Sequence, residues 1–244
     1  MEQAEAMPLA AEIGRRLMDG GAEAVVLAGS VVRGEASAES DIDLYAFGPR
    51  ASYTLWRHSA RLISITWRSP EAEREAFLTP SKAGAVIPAW RSAHILFDPR
   101  GVAADLQHAA TEWTWDVIGR PRLDQYVAGE ITGLAEEVHK LVGSLRSGRR
   151  WTAAVQRSIL ALQLAPVLSV HLRLLYETEN RLWDLVAEEM GAEWRQAQDD
   201  AFAAALERAC RAALRLYAMA AQNVAHTLEP QQREVVSYAA SLSA

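Results

Sequence analysis

The pattern of apolar residues changes character once, near Pro121, and this change constrains the fold more than any other feature of the chain. Upstream, short β-like runs are mixed with helical spacing. Met7, Leu9, Ala10, Ile13 and Leu17 recur on one helix face, and Asp19-Gly20-Gly21 ends that helix. Residues 24–28 form a short continuous apolar run, the pattern of a buried strand. A loop over 29–40 leads to a second run at 42–47, closed by Gly48-Pro49. Residues 62–67 alternate apolar and polar as a third strand. Residues 94–97 make a fourth, ended by Asp98-Pro99-Arg100-Gly101 and leading into a helix. Downstream the spacing is helical throughout. It predicts helices over 124–146, 151–178 (kinked at Pro166), 181–190, 193–227 and 231–242, with breaks at Gly148-Arg149-Arg150 and Gly191. No internal repeat or low-complexity tract interrupts this order. The expected class is α+β: a mixed sheet with helices over residues 1–120, then a helical bundle over 121–244.

Composition narrows the function classes. Hydrophobic residues make up 50% and charged residues 23%, which excludes wholesale disorder. A single cysteine, Cys210, excludes a disulfide framework and a cysteine-rich zinc site; in its Ala-rich helix it reads as buried and inert. Lys plus Arg number 25 against 31 Asp plus Glu, a net charge of -6, which argues against a generic duplex-DNA binder and suits a small cationic substrate. The longest uncharged apolar stretch, Ser158 to Leu172, is short of the roughly 20 residues a membrane span needs and contains Gln163, Pro166 and His171. The N-terminus places acids before its basic residues, unlike a signal peptide. The chain therefore reads as a cytoplasmic protein without membrane or nucleic-acid partners.

The segment that carries chemistry is Gly29-Ser30-Val31-Val32-Arg33-Gly34, followed by Ser40-Asp41-Ile42-Asp43-Leu44. A strand ending in Gly-Ser lets a ligand approach the backbone closely, because glycine lacks a Cβ. Backbone N–H groups and a hydroxyl at such a turn suit phosphate oxygens. Asp41 and Asp43 lie two apart in a strand, so both carboxylates face the same side. Two hard oxygen ligands beside a phosphate cradle suit Mg²⁺ and a nucleotide.

These residues resemble the signature of the DNA polymerase beta-like nucleotidyltransferase superfamily, Gly-Ser, Arg-Gly, then Ser-Asp-x-Asp. The resemblance covers residues 24–47 and implies that superfamily's palm-like core. It implies that Gly29 and Ser30 hold ATP or another nucleoside triphosphate and that Asp41 and Asp43 bind Mg²⁺ and serve catalysis; Arg33 is a candidate phosphate contact, with an ion pair inside the loop as the alternative. Wider similarity is to aminoglycoside nucleotidyltransferases of the kanamycin 4'-O type, carried by Ile95-Leu96-Phe97-Asp98 leading into a helix, by Trp56 and by a Glu-rich first helix in an all-helical second domain. That similarity implies transfer of AMP to an aminoglycoside hydroxyl, antibiotic resistance, and a homodimer that shares its clefts. The chain departs from the type in two places: Ser64 stands where a third metal carboxylate is expected, and Leu55 stands where a substrate-facing acid is expected. Other acceptors, such as a lincosamide or a protein side chain, and a non-catalytic antitoxin-like module remain as alternatives.

The similarity also implies a glutamate base on the first helix of the second domain, where Glu130, Glu136 and Glu137 are candidates. Val127, Ile131, Leu134, Val138, Leu141 and Leu145 form an apolar stripe. Glu130 and Glu137 flank it, whereas Glu136 points nearly opposite and can pair with Lys140 at i+4. Glu137 is the first choice and Glu130 the second. Trp113, Trp115, Trp151, Trp183 and Trp194 are expected to pack the helical domain, the six histidines show no metal-ligand spacing, and Arg146, Arg149 and Arg150 read as a solvated helix end.

Overall fold

A computed structural model describes residues 3–37, 39–59 and 61–242, with side chains from residue 6 onward. The chain divides into two compact units, Met1–Val117 and Ile118–Ala244. The class is α+β, with all five strands in the first unit.

The first unit begins with helix α1 (Gln3–Asp19). Its helical ladder stops at Gly20-Gly21, where the Ala22 N–H donates back to the Leu17 carbonyl at 3.0 Å. Strand β1 (Ala24–Ala28) follows, then the one-turn helix α2 (Ser30–Arg33), strands β2 (Ile42–Phe47), β3 (Ser52–His58) and β4 (Arg61–Arg68), helices α3 (Pro70–Phe77) and α4 (Pro80–Ser92), strand β5 (His94–Phe97) and helix α5 (Val102–Glu112). The sheet order is β3-β4-β2-β1-β5. Only the β2–β4 pair is parallel; β1–β2, β1–β5 and β3–β4 are antiparallel. Central β1 is buried at every position, so it reads as an unbroken apolar run rather than an alternating one.

Strand periodicity sorts the two faces. Ile42, Leu44 and Ala46 of β2 and Ile63, Ile65 and Trp67 of β4 join Ala6, Ala10 and Ile13 of α1 in one core. The opposite face carries Asp43, Tyr45 and Phe47, with Phe47 lying 5.5 Å from the Trp90 ring of α4. On that face buried Glu73 is compensated twice, by Arg68 at 2.5 Å and by the Trp90 indole N–H at 2.9 Å.

Strand β3 is absent from the reading of the sequence. Six of its seven residues are exposed, so no burial pattern marks it. It forms by pairing along its length with β4, as an edge strand turned by Ser59 at φ 55°.

The second unit comprises α6 (Arg120–Arg146), α7 (Arg150–His171), α8 (Glu179–Met190), α9 (Ala192–Ala203), α10 (Leu206–Asn223) and α11 (Pro230–Ser241). The apolar stripe of α6 is buried at Val127, Ile131, Leu134, Val138 and Leu141. The hydroxyl of buried Tyr217 on α10 donates to the Ile131 carbonyl at 3.1 Å. Helix α7 is long and apolar enough to cross a membrane; here it packs against α6, α8, α9 and α10 with Leu160, Leu164, Val167 and Leu168 buried.

Three sequence expectations need correction. The helix predicted over 151–178 runs through Pro166 but ends at His171, because Arg173 turns into the left-handed region at φ 56°. The stretch 193–227 is two helices, broken where Ala204 and Ala205 become extended so that α10 can fold against α9. Among the tryptophans, Trp194 is buried in the helical unit, but Trp151 is 87% exposed. Trp113 and Trp115 belong to the first unit, where the Trp113 indole donates to the Phe77 carbonyl.

Candidate active site

The site starts where β1 ends. Gly29 adopts φ 77° and ψ -161°, a conformation that side-chain-bearing residues avoid. A Cβ added there would meet Asp43 Oδ2 at 2.5 Å. The missing side chain is thus what lets the Asp43 carboxylate lie against the Gly29 backbone. The antiparallel register enforces the approach, because Ala28 pairs with Asp43. Ser30 opens α2 immediately after Gly29. Gly34 closes that turn in the left-handed region, and the Glu35 N–H returns to the Ser30 carbonyl at 3.0 Å.

The loop from α2 to β2 is tied by short-range bonds. The Ser37 N–H donates to the Ser40 hydroxyl at 2.9 Å, and the Ser40 N–H to the Ser37 carbonyl at 3.3 Å. Arg61, buried at the start of β4, donates to the Ser40 carbonyl at 3.4 Å. The expectation that both acids stand in one strand needs correction: β2 begins at Ile42, so Asp41 ends the anchored loop just before it, near enough for its charge to act on Asp43.

The electrostatics record this proximity. Burial pushes the Asp43 carboxyl above the usual range, and the nearby Asp41 carboxylate pushes it further. The Ser64 hydroxyl, donating to Asp43, and the Arg33 charge oppose that shift. The Arg33 side chain is only 11% exposed, and its Nε pairs with Glu35 Oε2 at 2.9 Å. Of the two sequence readings of Arg33, the loop ion pair is therefore present.

One row of the sheet collects these positions. Ala28 pairs with Asp43, Asp43 with Ser64, and Ser64 with Leu55. Residues paired in register share a face, so the sequence positions that lack the two expected acids lie in line with Asp43. Trp56, next to Leu55, points the other way and packs against the α1-side core. The structure brings together Gly29, Ser30, Arg33, Asp41, Asp43 and Ser64. Sequence reasoning missed Glu35 and Arg61; an arginine at a strand start whose neighbours are apolar was the only signal for Arg61.

Glu137 lies on α6 in the second unit. Its side chain is 19% exposed; Oε1 accepts from Lys140 Nζ at 3.0 Å, and buried Oε2 has no hydrogen-bond partner among the described residues. Glu136 is 72% exposed and pairs with the same Lys140 at 2.9 Å, which holds its carboxyl below the usual range. Glu130 is exposed near Tyr126, whose hydroxyl is pushed up to about 12 by burial and by the Glu130 charge.

The donor set suits a divalent cation. Asp43 on β2 and Asp41 just before it repel each other, and that repulsion is what a cation relieves. Among the described residues no group of three or more His, Cys, Asp or Glu side chains could hold a metal.

A family model described as a nucleotidyltransferase domain matches residues 14–79, a segment that includes the whole sheet row and the Gly-Ser turn. No curated protein matches significantly. Among solved structures the chain is similar to a nucleotidyltransferase-like protein from Exiguobacterium sibiricum 255-15, with 12% identity, coverage of 90% of this chain and 75% of that chain, and a TM-score of 0.54. At that identity the likeness is one of fold. A nucleotidyltransferase domain implies a nucleoside triphosphate co-substrate, usually a divalent metal, and nucleotidyl transfer of the EC 2.7.7 type.

Proposed function

We propose that the protein transfers AMP from ATP, with Mg²⁺, to a hydroxyl of an aminoglycoside and so confers resistance to it. The observation that carries the reading is the Asp43 carboxylate seated against the Gly29 backbone with the Asp41 charge acting on it. In this reading Asp41 and Asp43 hold the metal. Gly29 and Ser30 line the triphosphate, and Arg33 adds positive charge beside it. The bound cation supplies charge neutralisation at the phosphates. The acceptor oxygen attacks the α-phosphorus, the bond to the bridging oxygen breaks, and pyrophosphate leaves with the electron pair. Glu137 takes the acceptor's proton as general base, with Glu130 as the alternative. The net charge of -6 favours encounter with a polycationic acceptor. The reading further assigns a cytoplasmic homodimer with no nucleic-acid or membrane partner.

The test is mass spectrometry of kanamycin, tobramycin and lincomycin, each incubated with the protein, ATP and Mg²⁺. An AMP adduct on an aminoglycoside supports the proposal. An adduct on lincomycin alone moves the acceptor to the lincosamides. Ser64 and Leu55, standing where acids are expected, favour a second reading in which the domain binds without catalysing, as an antitoxin-like module does. No adduct on any acceptor, together with no pyrophosphate release, supports that reading.

A further inference from the structure

The second unit contains a cavity of about 550 Å³ assembled from three helices. Its wall includes Ser144 and Arg146 at the end of α6, Arg150 at the start of α7, and Glu207 and Arg211 at the start of α10. Arg211 pairs with Glu207 at 2.7 Å. Arg146 and Arg150 form no ion pair among the described residues, so the wall carries a net charge of +2 (three arginines less one glutamate).

Three independent features leave this wall short of an anion. First, both α7 and α10 present their opening turns to the cavity; among the described residues neither start carries a side-chain cap, and the one acid there, Glu207 of α10, is paired with Arg211. Their first N–H groups and the positive ends of their dipoles favour negative charge. Second, α7 has no acidic residue in its first turn and opens with Arg149 and Arg150, the wrong sign for that end of a helix. Third, Ser144 is only 1% exposed, and its Oγ has no hydrogen-bond partner among the described residues. A buried hydroxyl left unsatisfied is costly, and a bound oxygen would satisfy it.

We propose that this cavity binds a small organic phosphate monoester. A phosphomonoester carries close to two negative charges at neutral pH, matching the +2 wall better than a carboxylate does. Arginine forks suit its oxygens, and the Ser144 hydroxyl and opening-turn amides complete the cradle. The volume lies in the range of organic-ligand sites and exceeds what inorganic phosphate fills. Leu145, Ala153 and Leu206 supply apolar wall for the organic body.

The test is calorimetric titration of the full chain with phenyl phosphate; phenol, benzoate and sulfate serve as controls. Saturable one-to-one binding of phenyl phosphate, at least tenfold tighter than of any control, is expected. Arg150→Gln should weaken it by about 10-fold or more. Ser144→Ala should weaken it several-fold while leaving the ligand-free melting temperature unchanged or raised, because the lost hydroxyl had no partner. Asp43→Asn should bind as the parent does, which separates failure here from failure of the transfer reading. Binding equal to that of sulfate or phenol, or insensitivity to both cavity variants, overturns the proposal. So does displacement of phenyl phosphate by RNA or anionic vesicles at lower concentration, which would make the arginines a macromolecular surface.

Discussion

The acidic pair of the first unit and the arginine-lined cavity of the second pose the same electrostatic problem with opposite signs. Asp41 and Asp43 crowd negative charge at the start of β2, and burial of Asp43 makes the crowding worse. Arg146 and Arg150 place positive charge where two helix starts already favour anions. In each region the fold tolerates like charges that a ligand of opposite charge would stabilise, the usual trade of stability for function. The regions differ in how they are assembled. The acids are two residues apart, Asp43 on β2 and Asp41 at the end of the loop before it. The arginines come from α6, α7 and α10, and only tertiary packing makes them neighbours.

Mutations can break this comparison or sharpen it. The largest effect is expected at Asp43. Asp43→Asn should abolish nucleotidyl transfer, a loss of about 10⁴-fold or more, read as pyrophosphate release. The same change should raise the melting temperature of the metal-free protein by about 2–4 °C. The sign follows from the raised carboxyl: its folded state prefers the proton, so its contribution is lost as pH rises and is unfavourable at neutral pH. Near-normal turnover, or a lower melting temperature, would remove the acids from the comparison.

Glu137→Gln should lower turnover by about 10²–10⁴-fold if Glu137 is the base. A change of less than a few-fold in steady-state rate would pass that role to Glu130. Gly29→Ala acts on the backbone instead. It forces a Cβ against Asp43 Oδ2 at positive φ, and a loss of about 1–3 kcal/mol in denaturant unfolding is expected. An unchanged midpoint would show that the carboxylate yields without cost.

The smallest effect tests a third meeting of like groups. His171 and His226 have ring centroids 5.4 Å apart beside Arg120, Asp124 and Arg173, around a cavity of about 360 Å³. Burial and then the His226 charge push the His171 imidazole below its usual range; the Arg120 charge acts the same way, against Asp124 and a hydrogen bond that the imidazole donates to Asn223. A depressed histidine contributes stability that is present above about pH 6.5 and lost as pH falls through its folded value. The parent should therefore lose more melting temperature than His171→Gln between neutral pH and pH 5. Parallel curves would show that the pair does not couple to folding.

Much of the first unit was legible because its central strands are buried on defined faces. Residues 24–28, 42–47 and 94–97 announce themselves by apolar runs, and 62–67 by alternation. The Gly29 and Asp43 contact was legible as motif chemistry, though its closeness rests on the Ala28–Asp43 register. β3 was not legible, since an exposed edge strand owes its form to its neighbour. Nor was the break at Ala204-Ala205, where neither glycine nor proline marks the turn. Arg146, Arg149 and Arg150 are exposed at helix ends, as read from the sequence; what their own segment does not announce is Arg211 or the empty hydrogen-bonding capacity of Ser144.

Local periodicity and turn chemistry act over a few residues, so the sequence by itself determined the α+β class, the helical second half, and the closeness of Asp41 to Asp43. Charges from distant segments meet only when helices and strands pack. The tertiary structure therefore decided that Ser64 donates to Asp43 and that three arginines surround one cavity.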